Sequence, residues 1–163
     1  MKQEHHFAQA KNNLKFLEKA NASALEFYDW QVTVCFYSAL HIMSGHLKAK
    51  GVESSSHVST LRALDPSNQL SITKLGEDEY VAYRSLYNLS RRARYLVEVN
   101  SQGIVTTGDT PLATRCVHLA RSIRNLDRIL AFLKTEYKVD LDKIKIKCSD
   151  LSQSDNLKFV AIQ

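Results

Sequence analysis

Residues 26–47, EFYDWQVTVCFYSALHIMSGHL, limit the fold more than any other part of this chain. Twelve of the seventeen residues from Phe27 to Met43 are apolar, too many for a helix that only lies on a surface. Trp30, Val32, Val34 and Phe36 alternate as in a strand, but no Gly or Pro interrupts the run before Gly45, and that length favours a helix. At about 100° per residue, Tyr28, Val32, Cys35, Phe36, Ala39, Ile42 and Met43 share one arc, while Phe27, Trp30, Val34, Tyr37 and His41 share another. The helix therefore has two faces to bury. One is aliphatic and suits an ordinary core; the other is aromatic, carries a histidine, and asks for a different partner.

The remaining helices follow from similar spacing. Residues 3–20 align Phe7, Ala10, Leu14 and Leu17, with a short link at 21–23. Ser56 is placed to cap a short helix, HVSTLRAL, that stops at Asp65-Pro66. A long helix begins near Gly76, where Glu77, Asp78 and Glu79 complement its N-terminus, and is expected to run to about residue 99. Its core face is Ala82, Leu86, Leu89, Ala93, Leu96 and Val97; the opposite face interleaves Tyr80, Arg84, Tyr87, Arg91, Arg94 and Tyr95. After a short extended piece at 104–106, Thr110 and Pro111 are expected to open the last helix. That helix buries Leu112, Cys116, Leu119, Ile123, Leu126, Leu130 and Leu133 and carries Arg121, Arg124 and Arg128 outside. Beyond Lys138 the pattern changes to KIKIK, SDLSQSDN and KFVAI, an extension expected to hold one or two short strands or turns and to attach loosely. The expected fold is all-α: an up-and-down bundle of four to five helices over 1–137, with a short C-terminal extension at 138–163.

A chain of 163 residues fits one domain. No apolar run approaches the ~18 residues of a membrane span, and the polar, amphipathic start is not expected to act as a signal peptide. Three cysteines, Cys35, Cys116 and Cys148, without CxxC spacing point to reduced core thiols in a cytoplasmic protein. A net charge of +5 favours anionic partners. Phosphate-loop, dinucleotide, nucleophile-elbow and zincin signatures are all absent, so neither a metal nor a cofactor is expected. Two features stand open between a chemical and a structural role. His41 is either an acid–base group or a satisfied core histidine. The stripe of Arg84, Tyr87, Arg91 and Arg94 is either a phosphate-binding and base-stacking surface or a solvated face or dimer seam.

Three separated segments, DWQVTVCFYSALHIMSGHL, SSHVSTLR and YVAYRSLYNLSRRARY, occur in an order that resembles the HEPN superfamily of helical bundles. The resemblance covers about residues 25–135. It implies a homodimeric bundle from a prokaryotic defence or toxin–antitoxin context. Many such proteins are metal-independent ribonucleases acting through Arg-x4-6-His; others are non-catalytic partners of nucleotidyltransferases. No arginine here is followed by histidine at the family spacing, and Arg115 and His118 are too close together. A different constellation remains: His41, His57, Arg94 and Tyr95, which together offer a base, an acid and a phosphate-binding cation. A closed pocket against the aromatic arc, lined by Trp30, Tyr37 and His41, is what a small-molecule or nucleotide sensor would require. The resulting expectation is a cytoplasmic homodimer without a membrane span that binds RNA or a protein partner from the same operon. The alternative is a non-catalytic dimerising interaction module, and a small-molecule sensor is a third class.

Overall fold

The structure, a computed structural model, describes residues 2–99, 105–106 and 113–163. Among these, five helices carry most of the chain: α1 (Gln3–Ser23), α2 (Tyr28–Ala49), α3 (His57–Leu64), α4 (Glu77–Tyr95) and α5 (Cys116–Tyr137). As its composition requires, α2 is central and packs against α1, α4 and α5. Its aliphatic arc is sealed, with Val32, Cys35, Phe36, Ala39, Ile42 and Met43 fully buried. Gly45 lets α1 approach closely, because a Cβ at that position would overlap the Phe7 ring. The bundle is therefore built around the stretch whose sequence constrained it most. Among the described residues no helix is long and apolar enough to cross a membrane.

Helix ends differ from the sequence expectation for identifiable reasons. α1 runs through the expected link, since Asn21 is buried and its amide bonds the side chain of Gln31 (2.8 Å). α3 matches its expected span, with Ser56 Oγ accepting the Ser59 N–H at 3.1 Å. α4 stops at Tyr95, four residues early: Leu96 takes a left-handed conformation (φ 54°) that ends the helix, and its side chain is half exposed rather than core. Beyond it, β1 (Glu98–Val99) pairs antiparallel with β2 (Val105–Thr106). α5 begins at Cys116, not at 111. The proposed cap and first turn at Thr110, Pro111 and Leu112 lie outside the described residues, and the backbone N–H of Arg115 donates instead to His118 Nδ1 (3.0 Å).

The extension is not loosely held. β3 (Ile144–Ile146) and β4 (Val160–Ile162) form a parallel pair, and Ile144, Ile146, Leu151 and Val160 join the core. Two buried polar side chains tie this segment down. Asn21 mimics a neighbouring strand, accepting the Lys147 N–H (2.7 Å) and donating to its carbonyl (3.0 Å). Asp127 on α5 accepts the backbone N–H groups of Lys158 (3.0 Å) and Phe159 (2.7 Å).

Candidate functional site

The aromatic arc of α2 does not disappear into the core; one part of it meets the C-terminal half of α4 and the start of α3. Buried Phe36 is the floor, with ring centroids of Tyr37 at 5.6 Å, His57 at 5.4 Å and Tyr87 at 5.7 Å. Tyr83 closes the buried side at 6.2 Å, and burial pushes its hydroxyl pKa up. Arg94 lies across this group, its guanidinium carbon 5.9 Å from the centroids of both Phe36 and Tyr37 and 4.9 Å from that of Tyr95.

One turn back on α4, Ser90 fixes Arg94. Arg94 Nε donates to the Ser90 carbonyl (3.2 Å) and Nη2 to its hydroxyl (3.3 Å), while that hydroxyl donates to the Tyr87 carbonyl (2.8 Å). Nη1 reaches the Tyr95 hydroxyl at 3.4 Å. Among the described residues no carboxylate pairs with Arg94. Tyr37 and Tyr95 remain 37% and 61% exposed, so two aromatic faces flank a cation that points partly outward. Arg91 adds a second guanidinium 5.7 Å over the Tyr87 ring.

His57 stands at the first position of α3, set there by the Ser56 cap, and packs against Tyr87 at 5.6 Å. Burial first, and then the charge of Arg94, hold its pKa below the ordinary histidine value. At neutral pH it is an uncharged imidazole beside a fixed cation, able to accept or donate a hydrogen bond.

His41 is elsewhere. Its Nδ1 lies 3.3 Å from Nδ1 of His6 on α1, with the rings 5.6 Å apart. Only one of two such nitrogens can donate, so the two rings cannot both be charged while the contact holds, and burial lowers the pKa of both. Of the proposed constellation, Arg94, Tyr95 and His57 come together, and no described contact brings His41 to them. The core-histidine role falls to His46, whose Nε2 donates to the Thr73 carbonyl (3.1 Å) while Nδ1 accepts from the Tyr137 hydroxyl (2.6 Å).

The Tyr/Arg stripe divides in the same way. Its first half turns to α3's C-terminal end, where Tyr80 donates to Asp65 (3.3 Å) and Arg84 adds to the hydrogen bonds from Ser67 that lower the Asp65 pKa. Tyr87, Arg91 and Arg94 make up the half that belongs to the aromatic site. Trp30, 65% exposed, is two turns from Tyr37 and lines a separate apolar groove of about 210 Å³ with Phe16, Phe27 and Gln31. The outer arginines of α5 are engaged: Arg124 grips Asp155 (2.6 Å) and Arg128 pairs with Asp78. Arg121 borders a small polar cavity with His118 and Arg92.

Sequence reasoning passed over Ser90 and did not connect His6 with His41. Ser90 is signalled only by its position four residues before Arg94, and His6 only by its place beside the buried Phe7. Comparison with protein-family models, curated proteins and solved structures yields no match for the chain. Fold and site together define a helical bundle bearing a cationic, aromatic surface cluster.

Proposed function

We propose that this is a HEPN-like RNA-binding protein that holds single-stranded RNA at the Arg94 cluster. The observation that carries the reading is an arginine without a carboxylate partner among the described residues, locked by Ser90 between the exposed rings of Tyr37 and Tyr95. A guanidinium fixed in this way suits phosphate, and flanking tyrosines suit unpaired bases, which stack without regard to sequence. Tyr87 with Arg91 extends the track by one phosphate, and the neutral His57 offers a hydrogen bond to a 2′-hydroxyl. The three ordered motifs support an up-and-down, homodimeric HEPN-like bundle from a prokaryotic defence or toxin–antitoxin context.

Metal-independent cleavage is a second reading, favoured by His57 standing next to Arg94. In that step a neutral imidazole takes the 2′-hydroxyl proton, the 2′-oxygen bonds phosphorus as the P–O5′ bond breaks, the departing 5′-oxygen collects a proton from water, and the guanidinium meets the charge developing on phosphate. His41, paired with His6, has no part in it. The test is incubation of wild type, His57→Ala and Arg94→Ala with single-stranded and transfer RNA in the absence of metal. Binding lost in Arg94→Ala supports the RNA site, and cleavage lost in His57→Ala supports the second reading. A wild type that retains no RNA would leave a non-catalytic interaction module, for which the apolar groove at Trp30 is the natural contact.

A further inference from the structure

The thiols expected to be inert core groups separate into two kinds. Cys35 is fully buried in α2, and burial raises its pKa, as befits a structural residue. Cys116 and Cys148 behave differently: 32 residues apart in sequence, their sulfurs lie 2.8 Å apart. Cys116 is the first residue of α5, and Cys148 follows β3 in the extension. The two are held in register by other bonds, with Cys148 Sγ directed to the Cys116 carbonyl (3.6 Å) and Ser149 Oγ donating to Cys116 Sγ (3.5 Å). Tyr28 lines the same groove as the two cysteines. Both sulfurs border an open groove of about 360 Å³ whose wall includes Lys147, Leu25 and Ile162.

We propose that Cys116 and Cys148 form a dithiol site that reacts with small-molecule disulfides and closes to an intramolecular disulfide joining the extension to α5. Two sulfurs already closer than van der Waals contact need little backbone movement to bond. Asn21 and Asp127 anchor the extension on either side of the pair and keep the sulfurs together in the reduced protein. Cys116, the less buried of the two, attacks first. Its thiolate takes one sulfur of a glutathione-type disulfide, the S–S bond of that oxidant breaks, and the departing thiolate collects the proton Cys116 has lost. Cys148 then attacks the Cys116 sulfur, expelling the second thiolate, which collects the Cys148 proton. The cysteine pair gives up two electrons and two protons, and one disulfide becomes two thiols. Lys147 beside the groove suits the carboxylates of a glutathione-like oxidant. Burial pushes the Cys148 thiol up to about 12, which suits it to second rather than first attack.

A cation would find Cys116, Cys148 and Asp150 within 4.8 Å of one another. That set leaves a tetrahedral ion short of a fourth donor, and zinc-bound sulfurs would have to move apart, so the disulfide is the better fit. The experiment is exposure of the reduced 163-residue chain to oxidised glutathione, followed by alkylation in denaturant, intact mass and peptide mapping, with thermal unfolding measured in parallel. The expected product has lost two hydrogens, carries a Cys116–Cys148 link, retains an alkylatable Cys35, and melts several degrees higher until a reductant is added. Cys148→Ser is expected to stop at a Cys116–glutathione adduct, and Cys116→Ser to react slowly or not at all. The proposal is overturned if both thiols stay alkylatable in folded wild type, or if wild type halts at the same adduct as Cys148→Ser. It is overturned equally if the purified protein carries one zinc per chain that both serine variants lose and that blocks oxidation until it is chelated.

Discussion

Arg94 is tied to Ser90 twice, through the serine carbonyl at 3.2 Å and its hydroxyl at 3.3 Å, so its guanidinium is oriented before any ligand arrives. Ser90→Ala removes one of these bonds and leaves the cation intact. RNA affinity is expected to fall about three- to tenfold, the worth of one hydrogen bond, with the fold retained. Fluorescence anisotropy with a short single-stranded RNA measures this; an unchanged affinity would mean that orientation of Arg94 does not matter.

His6 and His41 are disfavoured from taking a proton while folded, because burial, and for His6 the neighbouring His41 and Lys48, oppose the charge. Their folded pKa values lie below the unfolded value of about 6.5. Below that pH the unfolded chain therefore binds more protons, and stability drops as pH falls until the lowered folded values are passed. His46, His57 and His118 are shifted in the same direction and add to the slope. Melting temperature is expected to be nearly flat above about pH 7 and to fall toward pH 5. The double variant His6→Gln, His41→Gln should flatten part of that fall, and an unaltered slope would remove the pair from the balance.

Gly45→Ala ought to gain about 1 kcal/mol of helix propensity on an open surface. Here the new Cβ overlaps the buried Phe7 ring, and overpacking of this kind costs about 1–3 kcal/mol, so net destabilisation is expected. Urea unfolding should reveal the loss, and the substitution should do less harm in a Phe7→Leu background. Stabilisation by Gly45→Ala would show that α1 and α2 can separate freely.

Asp127→Ala strips two backbone N–H groups of the extension of their acceptor. A cost of about 3 kcal/mol is expected from hydrogen bonds made to a buried carboxylate. Hydrogen exchange should then accelerate at the Lys158 and Phe159 amides before it does in α2. Uniform acceleration across the bundle would mean that the extension and the helices unfold as one unit.

Much of this architecture is legible in the residues alone, where local signals bound an element. α3 is readable because Ser56 marks its start and Asp65-Pro66 its end, and the two arcs of α2 follow from spacing. KIKIK betrays a strand by alternation. What the sequence hides are single polar residues whose partners are remote: Asn21 meets Lys147 and Asp127 meets Phe159 only after folding, and nothing local announces either. The same blindness explains the site. Arg94, Tyr87 and Tyr95 are visible as a stripe, but the division of that stripe depends on where α3 docks. His41 reads as the centre of an aromatic face until His6, beside Phe7 on the first helix, takes its ring nitrogen.

The proposed RNA site is tested most directly by the salt dependence of single-stranded RNA binding for wild type and Arg94→Ala, followed by anisotropy. Wild type is expected to weaken steeply as salt rises; Arg94→Ala should bind at least about tenfold more weakly, with the log–log slope shallower by about 0.7, as expected when one fewer phosphate of a single strand is neutralised. Affinity and slope identical to wild type in Arg94→Ala, or a wild type that binds no RNA at low salt, would contradict it.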